Sequence, residues 1–395
     1  MLYGLVSLYS VVALVRASNA VFIVSLVFTF PGLSPTFHGL ILASYALAEG
    51  LTGFLVGGFY ERFGGRLTLV LATLALSISY TAMTLSGSPT ATLVLNSLNG
   101  VMAAGVLVAS LSALAEETRG RPLARLLGSG GFEASNLGGY ALGFIVAFVL
   151  ELLGLLEGFM ASAILSFLAL LLALPAPSGG GRGVVFSVER RALKLAPLWF
   201  GLASLIGLAF MAPKILKEAG IAVVGLDRIG GELSLTLIAG LVAVALGLLV
   251  GSYIASLIGK LRAVTVGVAS TALLLVVGGL YYDMLLRPYF LPLLVILAVP
   301  PMMLPPAMLA LLADYTDTSR MRGVQMGFYV TVLALGIAFG EFMLGGLIFD
   351  RLGLTATAIA AAVTFLVLAT PTLYLVYRDH RLRLSTPCNG FNPSR

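Results

Sequence analysis

The chain alternates between long apolar stretches and short breaks that hold most of its charges, glycines and prolines. Each stretch is close to the roughly 20 residues that a helix rising 1.5 Å per residue needs to cross a bilayer. The pattern predicts twelve helices. Six lie in the first half, at about residues 3–29, 37–60, 67–87, 90–115, 126–150 and 155–175. Six follow in the second, at about 194–216, 230–255, 263–282, 289–312, 323–349 and 354–377. The longest break, Ala176 to Arg191, carries Pro177-Ser178-Gly179-Gly180-Gly181 and then Glu189-Arg190-Arg191, the composition of a flexible linker. The expected organisation is an N-terminal six-helix bundle (1–175), a cytoplasmic linker (176–193), a C-terminal six-helix bundle (194–377) and a cytoplasmic tail (378–395). The fold class is an all-α integral membrane protein of twelve transmembrane helices in two pseudo-symmetric bundles. Nothing basic precedes Arg16, so Leu2 to Leu14 is read as the start of the first span rather than as a signal peptide.

Short matches relate the halves. Ala115-Glu116-Glu117-Thr118 ends the fourth predicted span, and Ala313-Asp314-Tyr315-Thr316 ends the tenth, 198 positions on (115 to 313). Glu151-Leu152-Leu153-Gly154-Leu155 matches Asp350-Arg351-Leu352-Gly353-Leu354 at 199 positions (151 to 350). Two nearly equal offsets at equivalent helix ends point to one six-helix unit used twice.

Composition agrees with the pattern. Hydrophobic residues make up 59% and charged residues 10% of the chain, against roughly 25% charged in a soluble domain, so a water-soluble globule is excluded. The net charge of +6 would suit a nucleic-acid partner if its location were ignored. Of the 23 Lys and Arg residues, Arg16 lies inside a span and 17 fall in breaks on the side of the termini. Only Lys214, Lys217, Arg228, Arg287 and Arg351 fall opposite. Cytoplasmic loops carry such an excess, so both termini are expected in the cytoplasm of a multi-pass cell-membrane protein, and a nucleic-acid partner is not. Cys388 is the only cysteine; His38 falls at the edge of the predicted break before the second span and His380 in the tail. No disulfide, no metal site and no cofactor are expected.

The second span ends in Gly57-Gly58-Phe59-Tyr60-Glu61-Arg62-Phe63-Gly64-Gly65-Arg66. This turn resembles the loop signature of the major facilitator superfamily: Gly, three residues, Asp-Arg, one residue, Gly, then basic residues. Glu61 stands where the family has Asp, and the corresponding second-half loop, Gly251 to Arg262, keeps only glycines and basic charge. With the twelve spans, the linker and the repeat, the resemblance covers the whole chain. It implies two six-helix bundles related by an axis along the membrane normal, with a substrate cavity between them that opens to one side at a time. It also implies a gating role for Gly57, Glu61, Arg62, Gly64 and Arg66, in which charge pairs at cytoplasmic helix ends break on opening.

Four ionisable residues lie well inside predicted spans: Arg16, Glu49, Glu133 and Glu341. A charge at the bilayer centre costs at least about 2.5 kcal/mol, so each needs a partner, water or a role. Arg16 is roughly 20 Å from Tyr3 and Glu49 roughly 20 Å from Arg62, which allows them one depth. At helical spacing Arg16 shares a face with Asn19, Glu49 with Tyr45 and Thr52, and Glu133 with Asn136 and Tyr140; Asn96 and Asn99 add a polar stripe on the fourth span. These stripes are expected to line a wet cavity. Beyond Glu341, the second half offers Gln325 and Tyr329, then Trp199, Phe210, Met211, Met302 and Met303, with Pro300, Pro301, Pro305 and Pro306 bending the tenth span. An ionisable half facing an adaptable apolar half suits an amphipathic small molecule.

The expected function is secondary active transport by alternating access, coupled to protons and directed outward, by a monomer. No Gly-x4-Gly-Lys-Ser/Thr loop points to ATP. A buried carboxyl without a partner takes up protons more readily than one beside an arginine, which makes Glu133 the first proton carrier, Glu341 the next, and Glu49 the partner of Arg16. The fifth span, with Gly138-Gly139-Tyr140-Ala141-Leu142-Gly143-Phe144, lacks the Gly-Pro of the family's antiporter signature. That leaves uptake of an organic anion clamped by Arg16 as the alternative. An intramembrane enzyme would need a nucleophile with a base, or paired carboxylates, which the spans do not provide. A channel would not need the two-lobed repeat.

Overall fold

The structure, a computed structural model, describes residues 2–117, 122–155, 158–177, 193–218, 247, 250–251, 253–281, 291–316 and 322–385. The first half comprises α1 (Leu2–Thr29), α2 (Pro35–Phe63), α3 (Gly65–Ser86), α4 (Pro89–Glu117), α5 (Pro122–Leu152) and α6 (Met160–Ala173). The second comprises α7 (Ala196–Phe210), α8 (Ala212–Glu218), α9 (Lys260–Leu280), α10 (Leu291–Met302), α11 (Leu304–Thr316) and α12 (Arg322–Phe339). A π-helical run, Gly340–Ile348, continues α12 and leads into α13 (Phe349–Ser385). All the regular structure among the described residues is helical. The predicted eighth span, 230–255, lies mostly outside them, as do linker residues 178–192 and tail residues 386–395.

Local chemistry sets the breaks. Ser34 caps α2 by accepting from the Phe37 N–H, and Pro35 occupies the first turn, where its missing N–H costs nothing. Gly64 ends α2 with φ 86°, a conformation that disfavours a side chain. Pro300 and Pro301 remove helix donors, and the predicted tenth span accordingly divides at Met303 into α10 and α11. The predicted seventh span is also broken, by a 50° bend between α7 and α8. Gly327–Asp379 is an apolar stretch of 53 residues, about 80 Å of helix and more than two bilayer cores. Gly353, with φ 77°, divides it into two spans.

The halves repeat one packing scheme. In the first, α1 packs on α5 and α6, while α3 packs on α4 and α6. In the second, α7 packs on α12 and α13, while α9 packs on α10, α11 and α13. Positive-φ glycines recur at equivalent turns, Gly64 with Gly259 and Gly154 with Gly353. The exterior carries Leu51, Ile78, Leu85, Leu257, Leu273 and Val367, apolar side chains that cover a lipid-facing surface, while the ionisable Arg16, Glu49 and Glu341 are buried.

The half-bundles meet along α2 and α12. Gly50 lies against Thr331 and Leu335, and Gly53 against Gly327, so backbone approaches backbone without intervening side chains. The Thr331 hydroxyl donates to the Gly50 carbonyl at 2.7 Å. On the face opposite the termini, Thr36 donates to Asp350 and Gly39 sits on the Glu341 carbonyl. There α8 also packs against α1 and α2.

Candidate functional site

Arg16 lies midway along α1 and is only 3% exposed. Glycines in α5 make its surroundings possible: a Cβ added at Gly139 would lie 2.5 Å from the Ala13 carbonyl and 2.9 Å from the Arg16 Cβ. With no side chain there, α5 approaches α1 closely enough for Arg16 Nε to donate to Asn136 Oδ1 at 2.8 Å. From α2, Tyr45 and Glu49 complete the set. Arg16 Nη1 donates to the Tyr45 hydroxyl at 3.2 Å, and Nη2 pairs with Glu49 Oε1 at 3.2 Å. Glu49 is 2% exposed, so the pair is excluded from water and depends on its hydrogen bonds to offset desolvation. The Arg16 guanidinium also stands 5.4 Å from the Tyr140 ring centroid, in cation–π range. Asn19 Nδ2 donates to the Tyr140 hydroxyl at 3.2 Å and fixes that ring.

This network reaches the second half through two contacts. The Tyr140 ring tilts against Phe210 of α7 with centroids 4.5 Å apart. Glu341, in the π-helical run, lies within electrostatic range of Glu49 and of Tyr140. It is 4% exposed, and its Oε2 is buried with no hydrogen-bond partner among the described residues. A run of π-helix re-aims side chains relative to the regular repeat and often occurs at functional sites.

The other sequence-derived candidates fall in several places. Asn96 directs its amide to the Ile41 carbonyl at 2.8 Å and fastens α4 to α2. Asn99 is fully buried on α4. Tyr329 packs edge-on against Trp199, centroids 4.9 Å apart. Met211 occupies the bend between α7 and α8, against Gly345. Glu133 and Gln325 sit in α5 and α12 with side chains outside the described residues. In the gating motif, Gly57 and Glu61 are buried at the end of α2. Arg62 is exposed over the Phe63 ring at 5.1 Å, Gly64 makes the turn, and Arg66 is exposed.

Among candidates that sequence reasoning missed, His38 stands out. It belongs not to a break but to the first turns of α2, 1% exposed, with neither ring nitrogen hydrogen-bonded among the described residues. Lys214, counted among the charges opposite the termini at the end of the predicted span 194–216, is 1% exposed in α8 and pairs with Glu218 at 2.9 Å. The predicted span 37–60 already reaches His38 at its edge, and Ser34-Pro35, a cap followed by a first-turn proline, moves the helix start earlier and sets His38 within its first turns. No group of three or more metal-ligating side chains exists among the described residues.

A sequence profile described as Major Facilitator Superfamily matches residues 5–302, about three quarters of the chain. The chain belongs to the major facilitator superfamily. As a superfamily member it is a membrane transporter, and similar solved structures share its fold across nearly their whole length. The human organic anion transporter MFSD10 (TETRAN) is 15% identical with a TM-score of 0.68, covering 94% of this chain and 99% of that one. A mutant of the nucleoside transporter NupG is 15% identical with a TM-score of 0.65, covering 97% of this chain and 100% of that one. No curated protein matches the chain. In a superfamily transporter the boundary between half-bundles is where a substrate cavity forms, and Arg16, Glu49, Tyr140, Phe210 and Glu341 stand at that boundary.

Proposed function

We propose that the chain is a proton-coupled secondary transporter that exports a small amphipathic molecule by alternating access. The carrying observation is the division of charge across the boundary. Arg16 and Glu49 are paired within one half-bundle, and Glu341, in the other and within electrostatic range of Glu49, has an oxygen with no hydrogen-bond partner among the described residues. A carboxyl so placed gains or loses a proton without breaking an existing ion pair, and its charge alters the attraction between the half-bundles. The sequence gives the proton-carrying role first to Glu133. The unpartnered oxygen gives it to Glu341 in this reading, with Glu49 holding Arg16. Phe210, which packs on Tyr140, and the buried Met211, Trp199 and Tyr329 of the same half-bundle supply apolar surface for an amphipathic body. The charge asymmetry of the loops supports a cytoplasmic location for both termini, and the charge motif at Glu61 and Arg62 supports gating from that side. The protein is read as acting as a monomer.

The test is transport by the purified chain in proteoliposomes, across a panel of amphipathic compounds, with and without an imposed pH gradient. The gradient is expected to drive accumulation of at least one compound above its equilibrium level, in the direction opposite to proton flow. Fluxes that ignore the gradient would overturn proton coupling. Accumulation in the same direction as proton flow would overturn export and favour uptake.

A further inference from the structure

We infer that the central site binds an organic cation with an apolar body, its positive group placed against Glu341. This rests on the transporter reading above and adds a substrate class to it.

The first argument is the balance of charge. Among the described residues, the cluster at the boundary holds one guanidinium and two carboxyls. Arg16 is committed at all three nitrogens: Nε to Asn136, Nη1 to Tyr45 and Nη2 to Glu49. An arriving anion would have to displace Glu49 from a buried pair and would leave that carboxylate without its cation, a loss that a new ion pair only replaces. An arriving cation breaks no ion pair among the described residues. It meets Glu341, whose Oε2 has no hydrogen-bond partner among the described residues. Lys214, the other buried cation among the described residues, is engaged by Glu218.

The second argument is the surface around the carboxyls. Tyr140 and Phe210 form an aromatic pair that spans the two halves, and Tyr140 already accepts the Arg16 guanidinium on its ring face. Trp199 and Tyr329 form a second pair in the same half as Glu341. Aromatic faces attract cations and repel anions, and they bury apolar area. Carboxyl and aromatic groups together recognise a delocalised or alkylated cation better than a compact, strongly hydrated one, because less hydration is lost on entry. Opening of the boundary during alternating access is the step that exposes Glu341 to such a molecule.

The probes are tetraphenylphosphonium and tetraphenylborate, which share a shape and differ in the sign of charge. Binding to the purified full chain is followed by equilibrium dialysis and by the fluorescence of Trp199, the single tryptophan of the chain. Tetraphenylphosphonium is expected to bind saturably above the background of empty micelles, and tetraphenylborate is not. Glu341→Gln should weaken phosphonium binding roughly tenfold or more, as for loss of a charged partner in a buried site. Glu341→Asp, which keeps the charge, should restore most of it. Equal affinity for the two probes, absence of phosphonium binding, or unchanged binding in Glu341→Gln would each overturn the inference. If Glu341→Gln does not fold, the sign preference of the wild type and the behaviour of Glu341→Asp decide. Proton-driven accumulation of anions or neutral compounds alone would overturn the cation class and leave the transport reading intact. Glu341-dependent phosphonium binding without any response of transport to a pH gradient would do the reverse.

Discussion

Arg16 is held by acceptors from two helices, and the arrangement is only as favourable as its least replaceable member. Asn136 and Tyr45 are neutral, so Glu49 alone compensates the charge. Glu49→Gln keeps the shape and removes that compensation. Stability is expected to fall by about 3 to 5 kcal/mol, the range for breaking one partner of a buried pair, read as a lower unfolding temperature in detergent. The apolar pair Arg16→Met with Glu49→Leu should recover most of the loss, since neither partner is then left charged. A Glu49→Gln protein as stable as the parent would show that the pair contributes little. At this scale the sequence was informative where depth alone decides. Counting residues along α1 and α2 allows Arg16 and Glu49 one depth, and they are 3.2 Å apart. Counting does not reveal facing: Glu341 comes within electrostatic range of Glu49 and Tyr140 from a π-helical run that no 3.6-residue pattern anticipates. The burial of His38 and Lys214 was hidden for a related reason: each lies at the edge of a predicted span, 37–60 and 194–216, and burial there depends on which neighbouring helices cover it.

At the scale of helices, small residues decide which pairs can touch. The contact of α5 with α1 depends on Gly139 and Gly143, where an added Cβ would fall 2.5 and 2.3 Å from the carbonyl oxygens of Ala13 and Ala17. Backbone cannot yield as a flexible side chain does. Gly139→Leu should therefore push α5 outward, separate Asn136 from Arg16 and destabilise the protein by at least about 1 to 3 kcal/mol, the usual overpacking range. A comparison of unfolding temperature with Leu142→Ala, at an exposed position of the same helix, checks this. Equal effects of the two substitutions would mean that the close approach matters no more than lipid-facing packing. Helix existence was legible from apolar length and from prolines. Predicted 37–60 became Pro35–Phe63, and predicted 67–87 became Gly65–Ser86. The break at Met303 follows from Pro300 and Pro301. The 50° bend after Phe210 has a comparable marker in Pro213, which has no N–H to donate to the Ala209 carbonyl one turn back and whose ring crowds it.

The whole molecule repeats one packing scheme on either side of a boundary where charges meet aromatic surface. The offset of 199 made the repeat legible at one turn, where an acid followed three residues later by a glycine gives the same positive-φ turn at Gly154 and at Gly353. Which inward-facing groups stand opposite one another was not legible, because that follows from the docking of one half on the other through glycine-lined backbone contacts. In the state described, the halves are joined on the face opposite the termini by Thr36 with Asp350, by Gly39 on the Glu341 carbonyl, and by α8 against α1 and α2. Glu341 thus stands next to the seam between the halves on that face, which supports its proposed role as proton carrier. The most direct test compares wild type and Glu341→Gln in proteoliposomes, measuring accumulation driven by a pH gradient beside substrate exchange without one. The account predicts that Glu341→Gln loses accumulation and retains exchange, because Gln keeps the side-chain shape and cannot release a proton. Accumulation by Glu341→Gln equal to that of the wild type would contradict it.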